Sequence, residues 1–165
     1  LIVGLILESK GQRDAIISLS DFLLKNPNYH LNIVGGNEDQ LVSIVDFLGL
    51  QKSVTLHGFQ KNTEKYYNEA HIFIMPSLYE AFGRVTVEAL SYGVPVLGLN
   101  GKNATSEIVT NKFNGILVDC FDDFAKGIEL ILSEEGYCEM SKNAIVSVQK
   151  FSERNYVEPI IELLT

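Results

Sequence analysis

The sequence predicts an α/β fold: a Rossmann-like doubly wound parallel sheet of about six strands flanked by helices, on three observations. Short, almost wholly apolar runs alternate along the chain with stretches whose apolar residues recur at three- and four-residue spacing. The runs lack the in-and-out alternation of a half-exposed strand, which is the pattern of strands covered on both faces. Gly, Pro or Asn punctuates almost every junction, where turns and helix ends need them. With 165 residues and 46% apolar content, residues 1–165 are read as one domain around one core, without repeats or a linker.

The elements follow in order. Leu1–Leu7 reads as the first strand and ends in the loop Glu8-Ser9-Lys10-Gly11-Gln12. Ala15, Ile16, Leu19, Phe22 and Leu23 mark an amphipathic helix closed by Asn26-Pro27, since the residue before proline leaves helical space. A strand at His30–Val34 stops at Gly35-Gly36-Asn37, and a helix carrying Leu41, Ile44, Val45 and Leu48 ends at Gly49. Val54–Leu56, Ile72–Met75, Val94–Leu97 and Ile116–Val118 complete the strands. Helices are expected around Glu64–Asn68, from Gly83 to Tyr92, and then over Asp122–Leu132, Tyr137–Gln149 and Glu153–Leu164. In such sheets ligands bind beyond the carboxyl ends of the strands, so functional residues are sought in post-strand loops.

Charge and composition exclude some functions. Thirteen Lys and Arg against 21 Asp and Glu leave a net charge of −8, the wrong sign for a surface that neutralises nucleic-acid phosphates. Cys120 and Cys138 form no second pair, and His30, His57 and His71 do not fall beside them at metal-ligand spacing. No metal site is expected, and two thiols suit a reducing, cytoplasmic setting. No apolar run approaches the ~20 residues of a spanning helix, and no secretory signal is visible. The opening inside a strand-like run, without Met, is read as the start of an excised piece of a longer protein.

The most informative loop runs Pro76-Ser77-Leu78-Tyr79-Glu80-Ala81-Phe82-Gly83-Arg84 and enters the helix that carries Glu88. Gly83 permits close backbone approach at the helix start, where unpaired N–H groups attract an anion such as a diphosphate. Eight helical residues rotate through ~800°, so Glu80 and Glu88 share a cavity only if Glu80 sits in the loop. Carboxylates accept hydrogen bonds from paired hydroxyls, the groups that sugars and ribose present.

These residues resemble the carboxy-terminal, nucleotide-sugar-binding domain of retaining GT-B glycosyltransferases of the group 1, or family-four, class. The resemblance rests on Glu80-Ala81-Phe82-Gly83, then Glu88-Ala89, then Gly93-Val94-Pro95-Val96 at the family's spacing. It extends through Val3-Gly4 with Lys10-Gly11, Ile33-Val34-Gly35, Leu56-His57-Gly58-Phe59, Ile74-Met75-Pro76-Ser77, Glu107-Ile108-Val109 and Gly115-Ile116-Leu117-Val118.

The resemblance implies a hexosyltransferase that takes the donor, a UDP- or GDP-linked sugar, without a further cofactor. Lys10 would contact the donor diphosphate beside Gly4, and the N–H groups around Phe82, Gly83, Arg84, Val85 and Thr86 would hold phosphate and sugar. Glu80 would bind the sugar hydroxyls and Glu88 the ribose, with Lys10 and Glu80 as the catalytic pair; residues near His57–Phe59 would line the base pocket. The acceptor, a glycan or lipid-linked sugar of surface polysaccharide or glycolipid assembly, would reach the site through a missing amino-terminal half. Peripheral contact with the inner face of the membrane would belong to the full-length enzyme.

Two departures from the pattern stand out: Leu5 replaces the family's arginine, and Ala81 replaces a glycine. Arg84 is the candidate to supply the missing charge. Two other functions remain open at this stage, a nucleotide-sugar epimerase of the same architecture and a non-catalytic nucleotide-binding domain. A dehydrogenase-like domain is disfavoured, because no G-x-G-x-x-G follows the first strand.

Overall fold

The computed structural model describes residues 1–101, 104–133 and 136–151. The expected closing helix Glu153–Leu164, with Ile160, Ile161, Leu163 and Leu164, lies outside the described residues, as do Glu134 and Glu135. Six strands alternate with helices: β1 (Ile2–Val3), α1 (Gln12–Lys25), β2 (Leu31–Val34), α2 (Asp39–Phe47), β3 (Val54–Leu56), α3 (Glu64–Glu69) and β4 (Phe73–Met75). Then follow α4 (Arg84–Ser91), β5 (Val96–Leu99), α5 (Ala104–Ile108), β6 (Gly115–Val118), α6 (Phe124–Ile131) and α7 (Gly136–Ser147). Single 3-10 turns occupy Glu8–Lys10, Phe121–Asp123 and Val148–Phe151.

All strand pairs are parallel, in two three-stranded sheets ordered β1-β2-β3 and β4-β5-β6. Their inner edges meet through Leu1, whose nitrogen donates to Ile72 O at 2.9 Å and whose carbonyl accepts from Ile74 N–H at 2.8 Å. The chain thus leaves β1 toward β2 on one side and returns to β4 on the other, which is a topological switch point.

Side-chain alternation explains why both faces need helices. Ile33, Ile74 and Leu97 pack into one core with Ile16 and Leu19 of α1, Leu41 of α2 and Phe124 and Ile131 of α6. Their chain neighbours Val34, Phe73, Met75 and Val96 point the other way, onto Tyr67 of α3 and Ala89 and Leu90 of α4. Successive strand residues face opposite sides, so strands this apolar are stable only when covered twice.

The first strand is shorter than Leu1–Leu7. Pairing ends at Val3, Gly4 takes φ +151°, and Leu5 and Leu7 are exposed. Past Val3 the run divides: Ile6 turns into the core at 2% exposure, whereas Leu5 borders a cleft. The expected helix over Asp122–Leu132 begins as the 3-10 turn at Phe121, and α5 is a helix that periodicity did not single out. Both cysteines are free and exposed. Among the described residues no helix is long and apolar enough to cross a membrane, and no three or more His, Cys, Asp or Glu gather in a metal-holding group.

Candidate functional site

The site is built where the turns leaving β1 and β4 touch. Gly11 takes φ +68° and caps the amino end of α1. A Cβ there would lie 2.2 Å from Pro76 O, so only glycine lets the two turns come this close. Leu78 N–H donates to Ser9 O at 3.3 Å across the same junction. This backbone contact brings Lys10 to Glu80, and Lys10 Nζ donates to Glu80 Oε2 at 2.5 Å.

Glu80 is held from three directions. Its Oε1 accepts from Gly83 N–H at 3.3 Å, and its carbonyl accepts from Ala104 N–H at 3.1 Å, at the start of α5. Its side chain is 15% exposed and that of Lys10 is 31% exposed, so the pair is shielded yet reachable. Beside it lies a cleft of about 270 Å³ lined by Gly4, Leu5, Gln12, Arg84 and Val85 among others.

Gly83 takes φ +72° as the N-cap of α4, the left-handed conformation that glycine adopts at little cost. Ala81 does not share it, since the positive-φ residues other than glycine are Asn37 and Lys112; alanine in place of glycine is therefore tolerated. Not every N–H from Phe82 to Thr86 is available to a ligand, which corrects the sequence reading. Gly83 N–H is taken by Glu80, and Thr86 N–H donates to Gly83 O at 2.9 Å. Arg84 and Val85, in the first turn, have no intrahelical acceptor.

The structure therefore brings together Gly4, Lys10, Glu80, Arg84 and Val85. Thr86 is buried beneath Gly83, with Oγ1 3.3 Å from where a glycine Cβ would stand, and that hydroxyl has no hydrogen-bond partner. Phe82 is half exposed and turns an edge to Phe151 at 6.1 Å. Glu88 does not line the cleft. It follows Arg84 and Val85 by four and three residues, hence lies one turn along the same helix flank. Its Oε2 accepts from Tyr67 O–H at 2.9 Å.

His57 supports its strand-end reading more than a pocket role: Nε2 lies 2.8 Å from Asn32 Oδ1 and the ring rests on Tyr66 at 4.7 Å. Burial, then the charges of Lys65 and His30, lowers its pKa. Two residues escaped sequence reasoning. Gln12 is 3% exposed and ties the loop to α1 through Nε2 donating to Leu5 O at 3.0 Å. Tyr67 is the buried partner of Glu88. Neither position differs in sequence from an ordinary helix residue.

The chain is 29% identical to an uncharacterized glycosyltransferase of Haemophilus influenzae over 98% of its length, covering 46% of that relative. It is 27% identical to a poly(glycerol-phosphate) alpha-glucosyltransferase of Bacillus subtilis over 96% of its length, covering 24% of the relative. For a capsular polysaccharide biosynthesis glycosyltransferase of Staphylococcus aureus the figures are 29% identity, 83% and 37%. The chain thus spans less than half of these relatives. Among solved structures, a Rickettsia africae glycosyltransferase superposes with a TM-score of 0.87 at 21% identity, over 98% of this chain and 46% of that one. Anabaena HepE, solved with UDP and glucose, gives 0.82 at 23% identity, over 99% and 47%. At these identities the structures establish the fold, that of the carboxy-terminal Rossmann-like domain of GT-B glycosyltransferases. The sequence model of the family described as glycosyl transferases group 1 matches residues 1–156, and the chain belongs to that family.

Proposed function

We propose that this chain is the donor-binding half of a two-domain retaining glycosyltransferase, taking a UDP- or GDP-linked sugar in the cleft between β1 and β4. The observation that carries the reading is the Lys10–Glu80 pair, 2.5 Å apart on the rim of that cleft at the switch point of the sheet. A lysine ammonium has three donors; one serves Glu80, and the others face a ligand diphosphate.

In this reading the diphosphate lies against Lys10 and the first-turn N–H groups of Arg84 and Val85. The bond from the anomeric carbon to the diphosphate breaks with its electron pair leaving on the diphosphate, while the acceptor oxygen bonds to the same face of that carbon and its proton passes to the departing diphosphate oxygen. Fixed donors aimed at the growing charge are each worth about 3 kcal/mol, so no resident metal is required. Glu80 accepts from sugar hydroxyls and Glu88 from the ribose. The exposed Leu5 lines the cleft together with Arg84, which supports Arg84 as the second phosphate cation.

The acceptor site belongs to the other half of the enzyme, in keeping with the chain's share of its relatives. The capsular and poly(glycerol-phosphate) relatives support a role in surface polysaccharide or glycolipid synthesis, and the cytoplasmic face of the membrane is the setting this reading assigns to it. Calorimetric titration with UDP, GDP, their sugars and NAD tests the donor reading. Saturable heat with a UDP or GDP ligand, abolished or strongly reduced by Lys10→Ala, is expected. Heat with NAD alone would overturn it. An epimerase would instead change the sugar while it stays on the nucleotide, which chromatography of a labelled donor detects.

A further inference from the structure

Glu88 projects from α4 as an exposed side chain, yet one of its oxygens is anchored to the interior. The anchor is the Tyr67 hydroxyl, 2.9 Å from Oε2, on a residue 21 positions earlier in α3. Tyr67 is itself 2% exposed. Its ring stacks on Tyr92 at 5.4 Å and 15° and lies 6.0 Å from Phe73 of β4, so the hydroxyl sits at a fixed point. Burial first, and then the charge of Glu88, raises the phenol pKa, and the proton stays on tyrosine as the donor in this bond.

We propose that Tyr67 is a positioning residue for nucleotide recognition: by holding Oε2 of Glu88, it presents Oε1 in one orientation to the ribose diol of the donor. This rests on the reading of Glu88 as the ribose-binding carboxylate. A free glutamate on a helix surface samples several rotamers and loses that freedom when it grips a ligand. A glutamate already fixed by a buried hydroxyl loses less, and preorganisation of this kind strengthens binding without adding a contact to the ligand. The hydroxyl also takes only one of the roughly four lone-pair sites of the carboxylate, leaving the rest for two ribose hydroxyls.

The full chain is titrated with UDP and with 2′,3′-dideoxy-UDP, and the ratio of their dissociation constants measures recognition of the diol. Tyr67→Phe keeps the ring, and hence its stacking on Tyr92, while removing only the hydroxyl. The variant is expected to weaken UDP binding about fivefold and leave dideoxy-UDP within twofold of the parent, because a single neutral-to-charged hydrogen bond acts here through orientation alone. Thermal unfolding of the same variant reports any general loosening, which would weaken both ligands alike and would overturn the proposal. Glu88→Ala is expected to collapse the ratio to about one, and Tyr67→Phe added to it is expected to change neither ligand further. A collapsed ratio in Glu88→Ala with an unchanged ratio in Tyr67→Phe defeats the positioning role while the ribose reading stands. An unchanged ratio in Glu88→Ala defeats both.

Discussion

Lys10 and Glu80 are 70 residues apart in the chain and 2.5 Å apart in space, joined because the turns after the two central strands touch through Gly11 and Pro76. The pair concentrates opposite charges at the junction where, among the described residues, the strand order reverses, and most of the expected behaviour follows from it.

Removing the cation should act on binding more than on folding. Lys10→Ala deletes a charged donor, worth about 1.5–3 kcal/mol, so UDP or GDP affinity should fall roughly 10- to 100-fold by calorimetry. A partly exposed ion pair adds at most about 1 kcal/mol to stability, and the urea midpoint should shift little. Glu80→Gln should leave nucleotide affinity within about threefold and depress transfer in the full-length enzyme. Equal losses of nucleotide affinity in both variants would contradict this division of labour.

The proposal that Arg84 supplies the cation missing at position 5 can be tested by exchange. Arg84→Ala should weaken nucleotide binding by about five- to tenfold, more at low salt than at high salt. Leu5→Arg in that background should recover most of it, because both side chains border one cleft. Unchanged affinity in Arg84→Ala would dismiss the compensation.

Gly11→Ala should be among the most damaging small substitutions. The left-handed backbone costs a non-glycine residue about 1–2 kcal/mol, and the new Cβ would stand 2.2 Å from Pro76 O, which is backbone and cannot swing aside. A loss above about 2 kcal/mol in chemical denaturation is expected. A stability within error of the parent would show that the turns can separate.

Thr86 is fully buried with an unpartnered hydroxyl. An unsatisfied buried polar group costs about 1–3 kcal/mol, so Thr86→Val, which keeps the shape, should raise thermal stability by an amount of order 1 kcal/mol. Destabilisation would mean that the hydroxyl has a partner within the fold.

His57 gives a pH signature. Its pKa is lowered below the ordinary 6.5, so the unfolded chain binds this proton more readily than the folded one. Its contribution is complete above pH 6.5 and declines as pH falls toward the folded value. Denaturation midpoints should hold above pH 6.5 and drop as the pH falls below it, and His57→Gln should flatten that slope.

Much of this was legible in the chain. The six strands of the doubly wound sheet and the loops after β1 and β4 followed from apolar runs and turn residues, because a strand covered on both faces has few polar positions left. The Glu80 to Glu88 spacing drew attention to this loop and helix, but helical rotation gave the loop position of Glu80 only as the condition for a shared cavity, and Glu88 lies outside the cleft. The end of β1 at Val3 was not legible: Leu5 and Leu7 are as apolar as Ile2, and only burial separates a core leucine from one bordering a cleft. Nor was the occupation of Gly83 N–H by Glu80, which depends on one side-chain orientation.

The local pattern of residues by itself determined most of the strands and helices, though not α5 or the end of β1, and which acidic and basic groups stand in post-strand loops. Periodicity and backbone preference act between near neighbours and so leave a mark in a linear string. Only the tertiary structure decided that Lys10 meets Glu80, that Glu88 lies one turn beyond the cleft, and that Tyr67 reaches it from beneath. Those contacts join residues on different elements, and their geometry is set by how the two cores pack against the sheet.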